Sequence, residues 1–136
     1  MEKPSQMPEV RGGIVPYLIV ENAAAAAQFY EKAFGAEVVA HMDPDAKGRT
    51  MHLHLYINGG SLMLCDPFPE HGAGFVPHHR GVNLLLRVKN IQAAWQRAVD
   101  AGARVMSPLQ RMFWGDDYGE LRDPFGVSWS MAETPK

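Results

Sequence analysis

Two histidines near the middle of the chain have a spacing that suits metal or acid–base chemistry. His52 and His54 are separated by one residue in a segment, residues 50–57, that alternates apolar and polar side chains as a strand does. The two imidazoles and Tyr56 therefore share one face of the predicted strand, and the apolar residues share the other. A His pair with one carboxylate is an established metal-ligand set, and the same face would also suit the polar wall of a cavity. The sequence offers Asp66, Asp116 and Asp117 as carboxylates without placing them.

The aromatic and acidic stretch WGDDYG, residues 114–119, is a second candidate site. Trp114 and Tyr118 are suited to stacking on a flat ligand, and Asp116 to accepting its hydrogen bonds. In a metal-free enzyme, Asp116 or a histidine would be the general base. The alternative interpretation is a tight turn in which Trp114 is a buried core residue. Both interpretations stay open at the level of sequence.

Composition excludes several classes of function. The 136 residues fit one domain, and the net charge of −2 is spread without a basic stripe, which argues against a nucleic-acid partner. No apolar run approaches the roughly 20 residues that span a bilayer, and residues 1–11 lack the apolar core of a signal peptide. Cys65 is the only cysteine, which excludes an internal disulfide and suits a reducing compartment. We therefore expect a cytoplasmic protein.

Periodicity and turn signals predict the elements of the first half. Asn22 is placed to cap a helix over residues 23–34, and Gly35 is placed to end it. Asn58-Gly59 is a strong hairpin signal. The predicted strands are residues 14–20, 37–42, 50–57 and 61–65.

The second half repeats this order after a connector rich in proline, glycine and histidine. Asn90 is placed to cap a helix that ends at Gly102, and Ser107-Pro108 is expected to break the strand that follows. The segment VENA at residues 20–23 aligns with VKNI at residues 88–91. The predicted strands are residues 82–88, 104–106 and 127–131, with a turn at 123–126. The repeated order of strand, capped helix, glycine stop and further strands indicates a duplicated βαβββ-type unit. A half of this size cannot bury both of its faces, which is the physical reason for the two halves to pair.

Four segments carry a family resemblance that covers nearly all of residues 13–131. They are VPYLIV with QFYEKAFGAEV, MHLHLYINGGSLMLCD, the second helix with AGARV, and FWGDDYGELRDPFGVSW. With these segments the chain resembles the vicinal oxygen chelate superfamily, which includes glyoxalase I, bleomycin-resistance proteins and extradiol dioxygenases, and within it the PhnB-like branch. The resemblance implies an α+β fold of two βαβββ modules, residues 13–66 and 82–132, joined by a connector at 67–81. It also implies that their sheets form a cupped, incomplete barrel with helices outside, and that the protein is a homodimer.

Catalytic members of this superfamily hold a divalent metal with side chains from the first and last strand of each module. The matching positions here are Val15, Leu64 or Cys65, Asn83, and Ser130. Because none of these is a His or carboxylate ligand, we expect no metal and no cofactor. The branch often has Arg where this chain has Asp117, which weakens the case for an anionic substrate, although Arg111 and Arg122 lie nearby.

The leading hypothesis is therefore a protein that binds a small molecule in its cup and has lost the usual metal ligands. The alternative is a metal-dependent lyase, isomerase or dioxygenase with a relocated site around His52 and His54. The expected ligand-binding residues are His52, His54, Tyr56, Asn83, Trp114, Asp116, Tyr118 and Ser130.

Overall fold

One order of elements occurs twice in the computed structural model, which describes residues 7–71 and 81–136. The first set is β1 (Tyr17–Ile19), α1 (Ala23–Phe34), β2 (Glu37–His41), β3 (Leu53–Ile57) and β4 (Gly60–Cys65). The second set is β5 (Asn83–Arg87), α2 (Ile91–Ala101), β6 (Arg104–Arg111), β7 (Asp117–Arg122) and β8 (Ser128–Glu133). The duplicated βαβββ order and the α+β class are confirmed. Most of the predicted connector, including His78 and His79, lies outside the described residues.

The strands form two four-stranded sheets, one in each of two compact units. The orders are β1-β4-β3-β2 and β5-β8-β7-β6. In both sheets the first and last strands of the set pair in parallel, and the other pairs are antiparallel. Each sheet is open at its edges rather than closed into a barrel. The cupped arrangement that the resemblance implies stays a prediction.

The core of the first unit lies on one face of its sheet. Leu53 and Leu55 of β3 and Leu64 of β4 are almost completely buried, as are the alanines and Tyr30 along one side of α1. The strand predicted over residues 50–57 begins only at Leu53, and Met51, which was expected on the packed face, is exposed. The reason is local: Thr50 Oγ1 donates to the Met42 carbonyl oxygen at 2.6 Å and holds the chain in a bend.

The first helix begins and ends as its sequence predicts. The Asn22 side chain accepts a hydrogen bond from the Ala25 N–H at 3.3 Å, and Gly35 adopts a left-handed conformation with φ of 71°. Buried Asp66 adds a second acceptor at the same end, since its Oδ1 takes the Ala23 N–H at 3.0 Å. A carboxylate there also opposes the positive end of the helix dipole.

The second helix is capped differently from the prediction. The Asn90 side chain makes no capping hydrogen bond, although its backbone is left-handed. The Glu133 carboxylate takes both the Asn90 and the Ile91 N–H groups, each at 2.9 Å. Asn90 is therefore the N-cap residue as predicted, but the capping acceptor is the Glu133 carboxylate at the end of β8 and not the Asn90 side chain.

The break predicted at Ser107-Pro108 is also wrong, because β6 continues through these residues to Arg111. Pro108 cannot donate to a ladder, and it is tolerated because β6 is an edge strand. The pairing with β7 shifts register between Val105 and Ser107 and again between Ser107 and Gln110. The expected disruption therefore takes the form of an irregular edge.

Two family-like motifs of the second unit have structural roles. Asp123, the first residue of DPFG, accepts from the Phe125 and Val127 N–H groups and, at 2.9 Å, from Trp129 Nε1. A Cβ built at Gly119 would lie 2.5 Å from the Trp95 ring, so only glycine lets α2 approach β7 this closely. In the part of the chain described, neither helix is long and apolar enough to cross a membrane.

Candidate functional site

One face of the second sheet is buried against α2 and the other carries mostly polar side chains. Leu121, Trp129 and Met131 form the buried face. Because strands alternate, their neighbours point to the opposite side of the sheet. We call this side the second-sheet polar face, and it comprises Asn83, Leu85, Tyr118, Glu120, Arg122, Ser128 and Ser130.

Hydrogen bonds fix the side chains at the centre of the second-sheet polar face. Ser130 Oγ donates to Asn83 Oδ1 at 2.5 Å, and Ser130 is buried. The Tyr118 hydroxyl donates to Glu120 Oε2 at 3.0 Å. Burial raises the pKa of Tyr118, so this hydroxyl keeps its proton at neutral pH. The structure therefore brings together three of the predicted site residues, Asn83, Tyr118 and Ser130.

Glu120 was not predicted from the sequence. It lies opposite Ser130 in the β7–β8 register, two residues after Tyr118 on the same strand. The alternation in YGELR, which places Glu120 on the face of Tyr118, was the signal that could have identified it. Its carboxylate supplies the only acidic side chain among those we assign to this face.

The second-sheet polar face presents unused donors and acceptors. Among the described residues, no hydrogen bond uses the amide nitrogen of Asn83 or Oε1 of Glu120. Leu85, which lies beside Ser130 in the β5–β8 register, is half exposed and offers apolar surface. A donor, an acceptor and an apolar contact at fixed positions suit a planar molecule with polar edges.

The histidine pair lies on the corresponding face of the first sheet. His54 is buried, and its Nε2 is 2.7 Å from Ser61 Oγ. His52 Nδ1 is 3.3 Å from the hydroxyl of Tyr17, and the two imidazole centroids are 6.5 Å apart. Burial lowers the pKa of both rings, so both are neutral at pH 7. Because the two imidazole rings lie this close together, the prediction that His52 and His54 share one face is confirmed.

The segment before β1 covers part of this histidine face. The Tyr56 hydroxyl donates to the Glu9 carbonyl oxygen at 2.7 Å, and the Arg11 guanidinium lies 3.6 Å above the Tyr56 ring. The Arg11 N–H donates to Ser61 Oγ at 2.8 Å, the same hydroxyl that contacts His54. Tyr56 and His54 thus contact the chain's own residues, which the polar composition of residues 7–12 did not predict.

The stretch that contains Trp114 forms the turn between β6 and β7. Trp114 is 49% exposed, so the interpretation of this residue as buried core is wrong. Its Nε1 donates to Asp116 Oδ2 at 3.2 Å, and Asp116 Oδ1 accepts from Thr134 at 2.8 Å. The Trp114 and Tyr118 rings are 5.8 Å apart, which connects the turn to the polar face.

The arginines near this turn differ in their partners. Arg111 Nε donates to Asp117 Oδ1 at 2.7 Å, and this contact raises the pKa of Arg111. Arg122 is exposed at the far end of β7. Arg111 is therefore satisfied internally, and Arg122 is available to a ligand.

The strand registers also show which residue of the first unit corresponds to Ser130, one of the positions matched to the family's metal ligands. Tyr17 pairs with Met63, and Leu85 pairs with Ser130. Tyr17 and Leu85 each lie five residues before the asparagine that precedes the helix, so Met63 is the counterpart of Ser130. The sequence alignment had placed Leu64 or Cys65 there. Within residues 7–71 and 81–136, no group of three or more His, Cys, Asp or Glu side chains is arranged to hold a metal ion.

Comparisons with known proteins agree with this geometry. The Mycobacterium bovis protein Mb0911c, itself uncharacterised, is 39% identical over 129 residues, which cover 91% of this chain and 84% of the relative. The PhnB protein from Bacillus cereus has a TM-score of 0.70 and 21% identity over 90% of this chain and 99% of that one, so it shares the fold.

The antibiotic-binding protein TnmS3 from Streptomyces sp. CB03234 also shares the fold, with a TM-score of 0.66 and 24% identity over 94% of this chain and 97% of that one. The predicted resemblance to the superfamily is confirmed, and the PhnB-like branch stays a prediction. The family model for the Glyoxalase/Bleomycin resistance protein/Dioxygenase superfamily matches residues 13–131, and the chain belongs to this superfamily.

Proposed function

We propose that this protein binds a small organic molecule against its second-sheet polar face and that no transition metal takes part. The observation that carries the proposal is the pair of side-chain bonds on this face, from Ser130 to Asn83 and from Tyr118 to Glu120. Side chains held in this way are pre-organised, so binding costs less conformational entropy. They also leave the amide nitrogen of Asn83 as a donor and Oε1 of Glu120 as an acceptor for the ligand.

The side chains at the positions matched to the family's metal ligands support binding without a metal. Val15 has no ligand atom, and Met63 offers only a soft thioether. The hydroxyl of Ser130 is already directed at Asn83 Oδ1. Two weak neutral oxygens that satisfy each other do not fit a site for iron, manganese, nickel or zinc.

The matched ligand is planar, with a hydrogen-bond donor for Glu120, an acceptor for the Asn83 amide, and an apolar edge for Leu85 and the Tyr118 ring. TnmS3, a fold neighbour, is named as an antibiotic-binding protein, which is in keeping with an organic ligand of this kind. The relocated metal site around His52 and His54 is not favoured, because the described residues place no His, Cys, Asp or Glu side chain beside them as a third ligand. The superfamily resemblance leads us to infer a homodimer, and the single cysteine, which suits a reducing compartment, leads us to infer a cytoplasmic location.

A fragment titration followed by ¹⁵N NMR tests the proposal. The probes are small planar heterocycles that carry amide or amidine groups, added to protein treated with chelator. We expect the amide signals of Asn83, Tyr118, Glu120 and Ser130 to shift, and Glu120→Gln to weaken the best fragment about tenfold. Glu37→Gln, at an exposed position in the first unit, is the matched control and should leave the affinity unchanged.

The proposal fails if no fragment shifts signals on β5, β7 or β8. It also fails if fragments that do bind are equally tight in the Glu120→Gln variant. Light scattering of the purified protein tests the homodimer, and a monomer would contradict that part.

A further inference from the structure

Two arginines lie directly opposite each other at one end of the second-sheet polar face. Arg104 of β6 pairs with Arg122 of β7 in the antiparallel register. Both side chains are exposed. Directly opposed residues on antiparallel strands have Cβ atoms about 4.5–5.5 Å apart, and like charges at that separation destabilise the sheet.

The remaining residues of this row also offer hydrogen-bond donors. Ser128 of β8 pairs with Arg122, and Asn83 of β5 pairs with Ser128, so the row crosses all four strands. Among the described residues, neither guanidinium has an ion pair, and the Ser128 hydroxyl has no hydrogen bond. Of the acidic groups nearby, buried Asp123 accepts from Trp129. Glu120 accepts from Tyr118 with Oε2 and forms no ion pair with either arginine.

We propose that Arg104, Arg122 and Ser128 form a binding site for an oxyanion, a carboxylate or a phosphate-type group of a small molecule. Two guanidinium forks on adjacent strands can each donate paired hydrogen bonds to such a group. The bound charge would offset the repulsion between the arginines, which explains how this pair is tolerated. The oxyanion site is one row away from Ser130 and Glu120, so a single ligand can reach both.

This inference deepens the proposed function, on which it rests for the identity of the ligand, by assigning that ligand an anionic group. The test uses inorganic pyrophosphate and citrate alone, at constant ionic strength. Because neither probe is one of the planar fragments, this test can fail while fragment binding at Glu120 is still observed. Binding is measured by calorimetry on the full chain. The two probes distinguish a phosphate-type group from a carboxylate.

We expect one probe to bind and Arg104→Gln or Arg122→Gln to weaken it about tenfold or more. Lys89→Gln removes the same charge from an exposed position before α2 and should leave the affinity within twofold of wild type. Arg122→Lys keeps the charge but loses the fork, so it should retain only part of the affinity.

A second readout keeps the inference testable if one variant folds poorly. In the absence of anions, Arg104→Gln should unfold at a higher temperature than the wild type at low salt, because it removes the repulsion. The bound probe should raise the unfolding temperature of the wild type and not that of this variant. The inference is overturned if neither probe binds, or if Arg104→Gln and Lys89→Gln bind the probe equally well.

Discussion

Ser130 donates a hydrogen bond from Oγ to Oδ1 of Asn83, across adjacent parallel strands, at 2.5 Å. By the family resemblance, these two residues match the positions at which metal-dependent members carry their ligands in the second module. Here they are polar but neutral, and each satisfies the other. Under the proposed function, this neutral, mutually bonded pair is part of a face that binds a small molecule rather than of a metal centre.

Replacing Asp123 by Asn should destabilise the second unit. The buried carboxylate accepts from two turn N–H groups and from Trp129 Nε1, and an amide nitrogen cannot accept from the indole. We expect a loss of about 1–3 kcal/mol in the free energy of unfolding, measured by urea denaturation. Asp43→Asn, at an exposed position, is the matched control. Equal stability of the two variants would show that the DPFG-x-x-W motif has a role other than this bond.

Replacing Gly119 by Ala should force Trp95 away from the sheet. The added Cβ would lie 2.5 Å from two atoms of the indole's six-membered ring. Overpacking of this kind costs about 1–3 kcal/mol, measurable as a lower urea midpoint. Trp95→Phe shortens the side chain, so the double variant should lose less than the sum of the single losses. Additive losses would contradict the predicted contact.

The capping of α2 predicts an unequal effect of two substitutions. Glu133→Ala removes the acceptor for two N–H groups at the helix start and should cost about 1 kcal/mol. Asn90→Gly removes a side chain that makes no capping bond and suits the left-handed backbone, so it should change stability by about 0.5 kcal/mol or less. Thermal unfolding of both variants checks this, and a larger loss for Asn90→Gly would contradict it.

The neutral histidines predict a pH dependence of stability. Burial lowers the pKa of His52 and His54 below 6.5, so between the lowered values and 6.5 the unfolded chain binds more protons than the folded one. Their contribution to stability is therefore present above pH 6.5 and is lost as the pH falls through the folded-state pKa values. Urea denaturation at several pH values across this window gives the free energy of unfolding as a function of pH. This free energy should change less steeply with pH in His54→Gln than in the wild type. His41→Gln, at an exposed residue, should keep the wild-type slope.

Most of the fold was predictable because its signals are local. Asn22, Gly35 and Asn58-Gly59 specify a helix start, a helix stop and a hairpin through backbone conformation alone, and each is found where expected. The cap of α2 was not predictable in this way. Its acceptor, Glu133, is 42 residues from Ile91 and reaches it only through the parallel pairing of β5 with β8.

The candidate site was predicted only in part for the same reason. Asn83 and Ser130 came from the family alignment, and Tyr118 came from its aromatic motif. The alternation in YGELR could place Glu120 on the face of Tyr118, but only the β7–β8 register shows that it lies opposite Ser130. The Arg104–Arg122 pair becomes significant only when the register of β6 and β7 is known. The contact of Glu9 and Arg11 with Tyr56 spans more than 40 residues of sequence and has no local signal.

Metal content and ligand binding measured on the same purified sample test the central claim most directly. Elemental mass spectrometry gives the metal per chain, and NMR gives the affinity of the best fragment before and after chelation. We predict well under one equivalent of transition metal, and an affinity that chelation leaves unchanged. One equivalent of iron, manganese, nickel or zinc, with fragment binding lost on chelation and restored by that metal, would contradict the account.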